Sequence, residues 1–125
     1  MDYKEFCETI KDDINNFLPE QFADYDVTLH TVVKPNVGEM VGLTFVSPVS
    51  GIPAPVIYLE PYYDAYLNKG MDTTRIMSQI AVTAVQGIEK GKSMFPGAVD
   101  VIPDMGDWNK VKGQVTVRAL CVNYI

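Results

Sequence analysis

Tyr3, Phe6, Cys7, Ile10, Ile14, Phe17 and Leu18 recur at steps of three and four residues. One side of a helix is therefore apolar, while Glu5, Glu8, Asp12 and Asn15 fall on the other. Asp2 with Glu5 three residues later approximates a capping box, the acids near this start suit the helix dipole, and Pro19 ends the run. After a polar exit the periodicity changes from helical to alternating. In D-V-T-L-H-T-V-V, Val27, Leu29, Thr31 and Val33 alternate with Thr28, His30 and Val32, which predicts a strand. Pro35, Asn36 and Gly38 then predict a turn.

Val41 to Val46 predicts a second strand and Pro55 to Leu59 a third, joined by the turn-forming S-P-V-S-G-I-P-A. Pro61 closes the third strand. Tyr62 to Asn68 reads as one or two helical turns ended by Gly70, after which Asp72 or Thr73 caps a longer helix. In that helix Ile76, Met77, Ile80, Ala81, Ala84, Val85 and Ile88 make a wide apolar face, with Arg75, Ser78, Gln79 and Gln86 facing out. Gly91 to Gly106 has little periodicity and predicts a long loop. Trp108 to Lys112 reads as a helical turn and Val115 to Val122 as a final strand, with Arg118 on its polar face. The order α-β-β-β-α-β predicts a single α+β domain over residues 1–125. Its mainly antiparallel sheet has about four strands, joined as a meander at the start and covered by two main helices.

The hydrophobic content of 47% over 125 residues is enough for a core without metals or disulfides. Cys7 and Cys121 sit in apolar patterns and read as small buried hydrophobes of a reducing compartment, a disulfide between them being the alternative. The start M-D-Y-K-E-F lacks a signal-peptide pattern and no apolar run approaches a bilayer's thickness, which predicts a soluble, cytoplasmic protein without a membrane partner.

Charge changes the picture more than composition does. Residues 1–26 hold eight acids (Asp2, Glu5, Glu8, Asp12, Asp13, Glu20, Asp24, Asp26) against Lys4 and Lys11. The other 99 residues hold eight acids and eight bases, so the whole net charge of −6 gathers at the first helix and its exit. Without a basic footprint, direct binding to DNA or RNA is disfavoured, and a basic protein surface is the natural partner. The competing reading is an ordinary solvated helix face.

Catalytic constellations are sparse. His30 is the only histidine and lies mid-strand, with no ligand-spaced cysteine or carboxylate. Cys7 lies on an apolar helix face, where a thiol is packing rather than a nucleophile. Glu60 with Asp64, and Asp104 with Asp107, are carboxylate pairs able in principle to hold a divalent cation or act as acid and base, and loop-edge surface carboxylates are the plainer reading. Tyr62, Tyr63 and Tyr66 follow on a short helical turn. Tyr62 and Tyr66 share a face while Tyr63 is offset by about 100°, so at least one ring is expected to be exposed. Exposed tyrosines favour recognition, whereas core and rim packing at the sheet edge is the alternative.

The tract V-I-Y-L-E-P-Y-Y, with Tyr66, Gly70, Ile76, Ile80, then D-W-N-K-V-K and R-A-L-C-V-N-Y, resembles a bacterial family known only as a domain of unknown function. Its members carry P-x-I-Y-L-x-x-Y-Y and occur around integrative and conjugative elements. The resemblance spans nearly the whole chain in order, and typical members continue beyond it, so this chain resembles an N-terminal half. The resemblance brings no established catalytic residues to carry over, and no cofactor is expected. Small acidic proteins of mobile elements are similar in type to anti-CRISPR inhibitors, an analogy of context. The expected function is a non-enzymatic inhibitor or adaptor, monomer or homodimer. It would bind the basic surface of a CRISPR effector nuclease through Glu5, Glu8, Asp12, Asp13, Tyr62 and Tyr63, and block guide RNA or DNA loading. The alternatives are a metal-dependent hydrolase or nuclease using Glu60, Asp64, Asp104 or Asp107, and a structural module of the element.

Overall fold

The first helix begins where its capping residue says it should. Asp2 has extended backbone, its Oδ1 accepts the Glu5 N–H at 2.8 Å, and α1 runs over Tyr3–Asp13. The computed structural model describes residues 1–34, 38–49, 52, 54–90 and 99–102, with side chains of 32–34, 90 and 99–102 left aside. The apolar periodicity continues to Leu18, but the helix tightens into a 3₁₀ turn over Ile14–Phe17 before Pro19, and a second 3₁₀ turn covers Glu20–Phe22. Tightening the last turn is a common way to end a helix ahead of a proline.

Four antiparallel strands follow in the spatial order β1 (Asp26–Lys34), β2 (Gly38–Val46), β3 (Ala54–Tyr58) and β4 (Val99–Ile102). The register puts Val27 opposite Phe45 and Leu29 opposite Leu43, with Leu43 opposite Ile57. These residues belong to the helix-side core, so the alternation read from the sequence is the alternation the sheet uses. Gly38 pairs with Lys34 and has φ +99°, a conformation that favours glycine at the hairpin's return.

Two helices connect β3 to β4: α2 (Glu60–Asn68) and α3 (Thr73–Lys90). Gly70, at φ +67°, ends the first. The Asp72 carboxylate accepts the Arg75 N–H at 2.8 Å and caps the second. Phe6, Cys7, Ile10 and Ile14 from the first helical segment meet Leu43, Phe45 and Ile57 from the sheet, Leu59 at the start of α2, and Ile76, Met77, Ile80 and Ala84 from α3. All are 5% exposed or less, and each large member stabilises the fold by roughly 1.5–3 kcal/mol. β3 is buried along its whole length, which explains its continuous apolar run in place of alternation. Pro55 sits one residue beyond the β2–β3 ladder, which ends at Thr44–Val56, so its missing N–H removes nothing from that ladder.

The α+β class, the antiparallel sheet and the early meander stand as expected. A strand that the sequence reading did not anticipate, Val99–Ile102, lies inside the segment read as a loop. Four residues between Ala98 and Pro103 are too few for alternation to stand out. The predicted helical turn at Trp108–Lys112 and strand at Val115–Val122 lie outside the described residues. Among those described, no helix is long and apolar enough to cross a membrane.

Candidate functional site

The acids of α1 remain on the surface. Glu5, Glu8, Asp12 and Asp13 are all exposed, as are Glu20, Asp24 and Asp26 along the exit. At 100° per residue, Glu5, Glu8 and Asp12 lie within about 60° of one another, opposite Phe6 and Ile10. Asp13 stands about 100° further round, towards the flank where Phe17 leaves the helix. The four acids are therefore a three-membered stripe plus a neighbour.

The tyrosines divide differently from a shared contact patch. Tyr62 is 1% exposed, and its hydroxyl lies 3.5 Å from the buried Thr83 Oγ1. Burial raises the pKa of that hydroxyl, making it a weaker acid, with the Thr83 contact opposing the rise. Tyr62 is therefore a core residue and leaves the set of surface contacts. Its position two residues into α2 points the ring at α3, which sequence spacing alone does not reveal. Tyr63 and Tyr66 are partly buried and stack on each other with centroids 6.2 Å apart. Tyr63 also meets Tyr3 at 5.0 Å and Phe6 at 5.1 Å, and its hydroxyl donates to the Met1 carbonyl at 3.0 Å. This aromatic group fastens the start of α1 to α2, leaving Tyr63 only partial access to a partner.

Beneath it lies a polar knot. Glu60 opens α2, and its Oε1 accepts the Val41 N–H at 2.6 Å while the Leu59 N–H donates to the Val41 carbonyl at 3.0 Å. Glu60 thus takes over a β2 donor beyond the end of the β2–β3 ladder. Its Oε2 and the Tyr3 hydroxyl are buried without a partner in hydrogen-bonding geometry. The two groups are nonetheless neighbours: burial first, and then the Glu60 carboxylate, pushes the Tyr3 hydroxyl upward. The Cys7 thiol, one turn along α1, is a free thiol pushed up to about 11, chiefly by burial. At neutral pH it is protonated and poorly nucleophilic. Tyr3 and Cys7 line a cleft of about 310 Å³ between α1 and the β1–β2 hairpin, together with Glu8, Leu29 and Val41.

His30 has Nε2 3.2 Å from Thr44 Oγ1, and it also lines the cleft that holds Cys7. Asp64 is exposed and accepts from Asn68 Nδ2 at 2.7 Å along the helix, so it does not join Glu60. Asp104 and Asp107 lie outside the described residues. Among those described, no group of three or more histidines, cysteines and acids is arranged to hold a metal ion.

A second concavity escaped the sequence reading. Phe17, Pro19, Ala81, Val82 and Val85 line a largely apolar groove of about 350 Å³ between the 3₁₀ exit of α1 and the outer side of α3. Val82 is 48% exposed. An isolated valine between Ser78, Gln79 and Gln86 was the available signal, since it breaks an otherwise polar helix face.

Residues 3–123 match the model of a family of unknown function, DUF5688. No curated protein and no solved structure matches the chain.

Proposed function

We propose a binding role for this chain, which belongs to the DUF5688 family of unknown function: it recognises a cationic protein surface through the exposed acids of α1 and performs no bond chemistry. The observation that carries this reading is the exposure of Glu5, Glu8, Asp12 and Asp13 on a segment that holds the chain's whole excess of negative charge. Carboxylates arranged this way steer encounters with lysine- and arginine-rich surfaces. Each exposed pair contributes only about 0.2–1 kcal/mol, so the stripe sets association rate and orientation more than residence time.

A nucleic-acid channel of a nuclease is the kind of surface this face suits. The channel of a CRISPR effector is one such site, where positive charge holds a guide–target duplex by its backbone. An acidic helix lodged there would compete with guide RNA or DNA for the same cations, giving inhibition by occupancy. The test is capture from a bacterial lysate by the wild-type chain and by the Glu8→Lys, Asp12→Lys, Asp13→Lys variant, with mass spectrometry and a guide-loading assay on any nuclease retained. The expected result is a basic partner kept by the wild type, lost by the variant and blocked in guide loading. The same partner held equally by both proteins contradicts the acidic-face reading.

A further inference from the structure

Charged contacts alone leave the proposed interface without an anchor. The tyrosines do not supply one, because Tyr62 is in the core and the Tyr63 hydroxyl is committed to Met1. The groove between Phe17–Pro19 and α3 has the complementary character: apolar walls, and room for large side chains within about 350 Å³. Its charge is asymmetric. On the α1 side, exposed Asp13 and Glu20 bracket Phe17 and Pro19 along the chain. Along α3, Val82 and Val85 share a side with exposed Glu89 one turn beyond and exposed Arg75 two turns before. Among the described residues, three acids and one base thus stand along the elements that wall this apolar trough, which continues the acidic flank begun by Asp13.

We infer that this groove receives a basic amphipathic helix of the partner, which inserts an aliphatic or aromatic side chain between Phe17 and Val82 while its lysines or arginines face Asp13, Glu20 and Glu89. Such helix-in-groove recognition is read by apolar anchors at helical spacing, with charge at the edges setting orientation. The inference rests on the binding role proposed above and adds the partner's chemistry and the place where it docks. The acids on the outer stripe of α1 guide the approach, and the groove holds what arrives.

The test uses two fluorescein-labelled 14-residue peptides of identical leucine and lysine content, one with an amphipathic helical pattern and one scrambled, titrated by fluorescence anisotropy. The wild-type chain is expected to bind the amphipathic peptide at least about tenfold more tightly than the scramble. Val82→Glu is expected to abolish that preference although it adds a negative charge, which attraction by charge alone would reward with tighter binding. Val82→Ser serves as a second variant with a smaller loss. Because Val82 is half-exposed, both variants should retain the wild-type circular dichroism spectrum and melting temperature. Equal wild-type affinity for the two peptides, or a preference that survives Val82→Glu, overturns the groove. The Glu5→Lys, Glu8→Lys, Asp12→Lys reversal, which leaves Asp13 at the edge of the groove in place, is expected to weaken both peptides alike. If it weakens neither, the acidic-face reading fails separately.

Discussion

Cys7 ties burial to a measurable pH dependence. Its thiol is raised from an ordinary 9 to about 11, so the unfolded chain loses this proton before the folded protein does. The associated stability is complete below about pH 8 and declines as pH rises through 9 to 11. The loss approaches about 3 kcal/mol at most once both states have ionised. Urea melts across this range should therefore fall less steeply for Cys7→Ala. Tyr3, raised in the same direction by burial and Glu60, should leave a residual slope. A slope unchanged by Cys7→Ala would mean that the thiol is not desolvated as described. Glu60 makes a second residue-level test. Glu60→Ala leaves the Val41 N–H without its acceptor and should cost about 1–3 kcal/mol, while Glu60→Gln keeps an acceptor oxygen and should cost less. Equal melts for Glu60→Ala and wild type would show that water replaces the carboxylate.

The helices and hairpin strands were legible because each carries its own local signal. The Asp2 and Asp72 caps, the Gly70 stop and the three- and four-residue steps of α1 and α3 all describe what the structure contains. Gly70 is the sharper test among them. A Cβ added there meets nothing within 4 Å, so Gly70→Ala should cost about 1–2 kcal/mol from the left-handed backbone alone. A change near zero in urea melts would indicate that the helix end shifts to accommodate it. β4 was not legible, since its four residues gain their identity from pairing with β3 rather than from their own pattern. The same limit explains the site. Tyr3 and Cys7 are visibly one turn apart, but nothing in the chain announces that Glu60 comes to lie beside them. Tyr62 looked like a surface ring until α3, with Thr83, closed over it.

For the molecule as a whole, the asymmetry of charge is the feature that sequence and structure share most directly. The early acids are exposed on α1 and its exit, while the core beneath is closed by Phe6, Ile10 and Ile14. Exposed charges are screened over about 10 Å at 0.1 M salt, so an interface they steer should weaken as salt rises. The apolar contacts within the groove, as distinct from the charges at its edges, should be nearly indifferent to salt. Wild-type binding is therefore expected to have a salt-sensitive part removed by charge reversal on α1 and a salt-insensitive part removed by Val82→Glu. The most direct measurement is the dissociation constant of the lysine–leucine amphipathic peptide between 50 and about 300 mM salt, for the wild type and for the Glu8→Lys, Asp12→Lys, Asp13→Lys variant. Recognition through α1 predicts a wild-type constant that rises with salt, and a variant that binds more weakly at low salt with a flatter dependence. Coincident curves for the two proteins would contradict it.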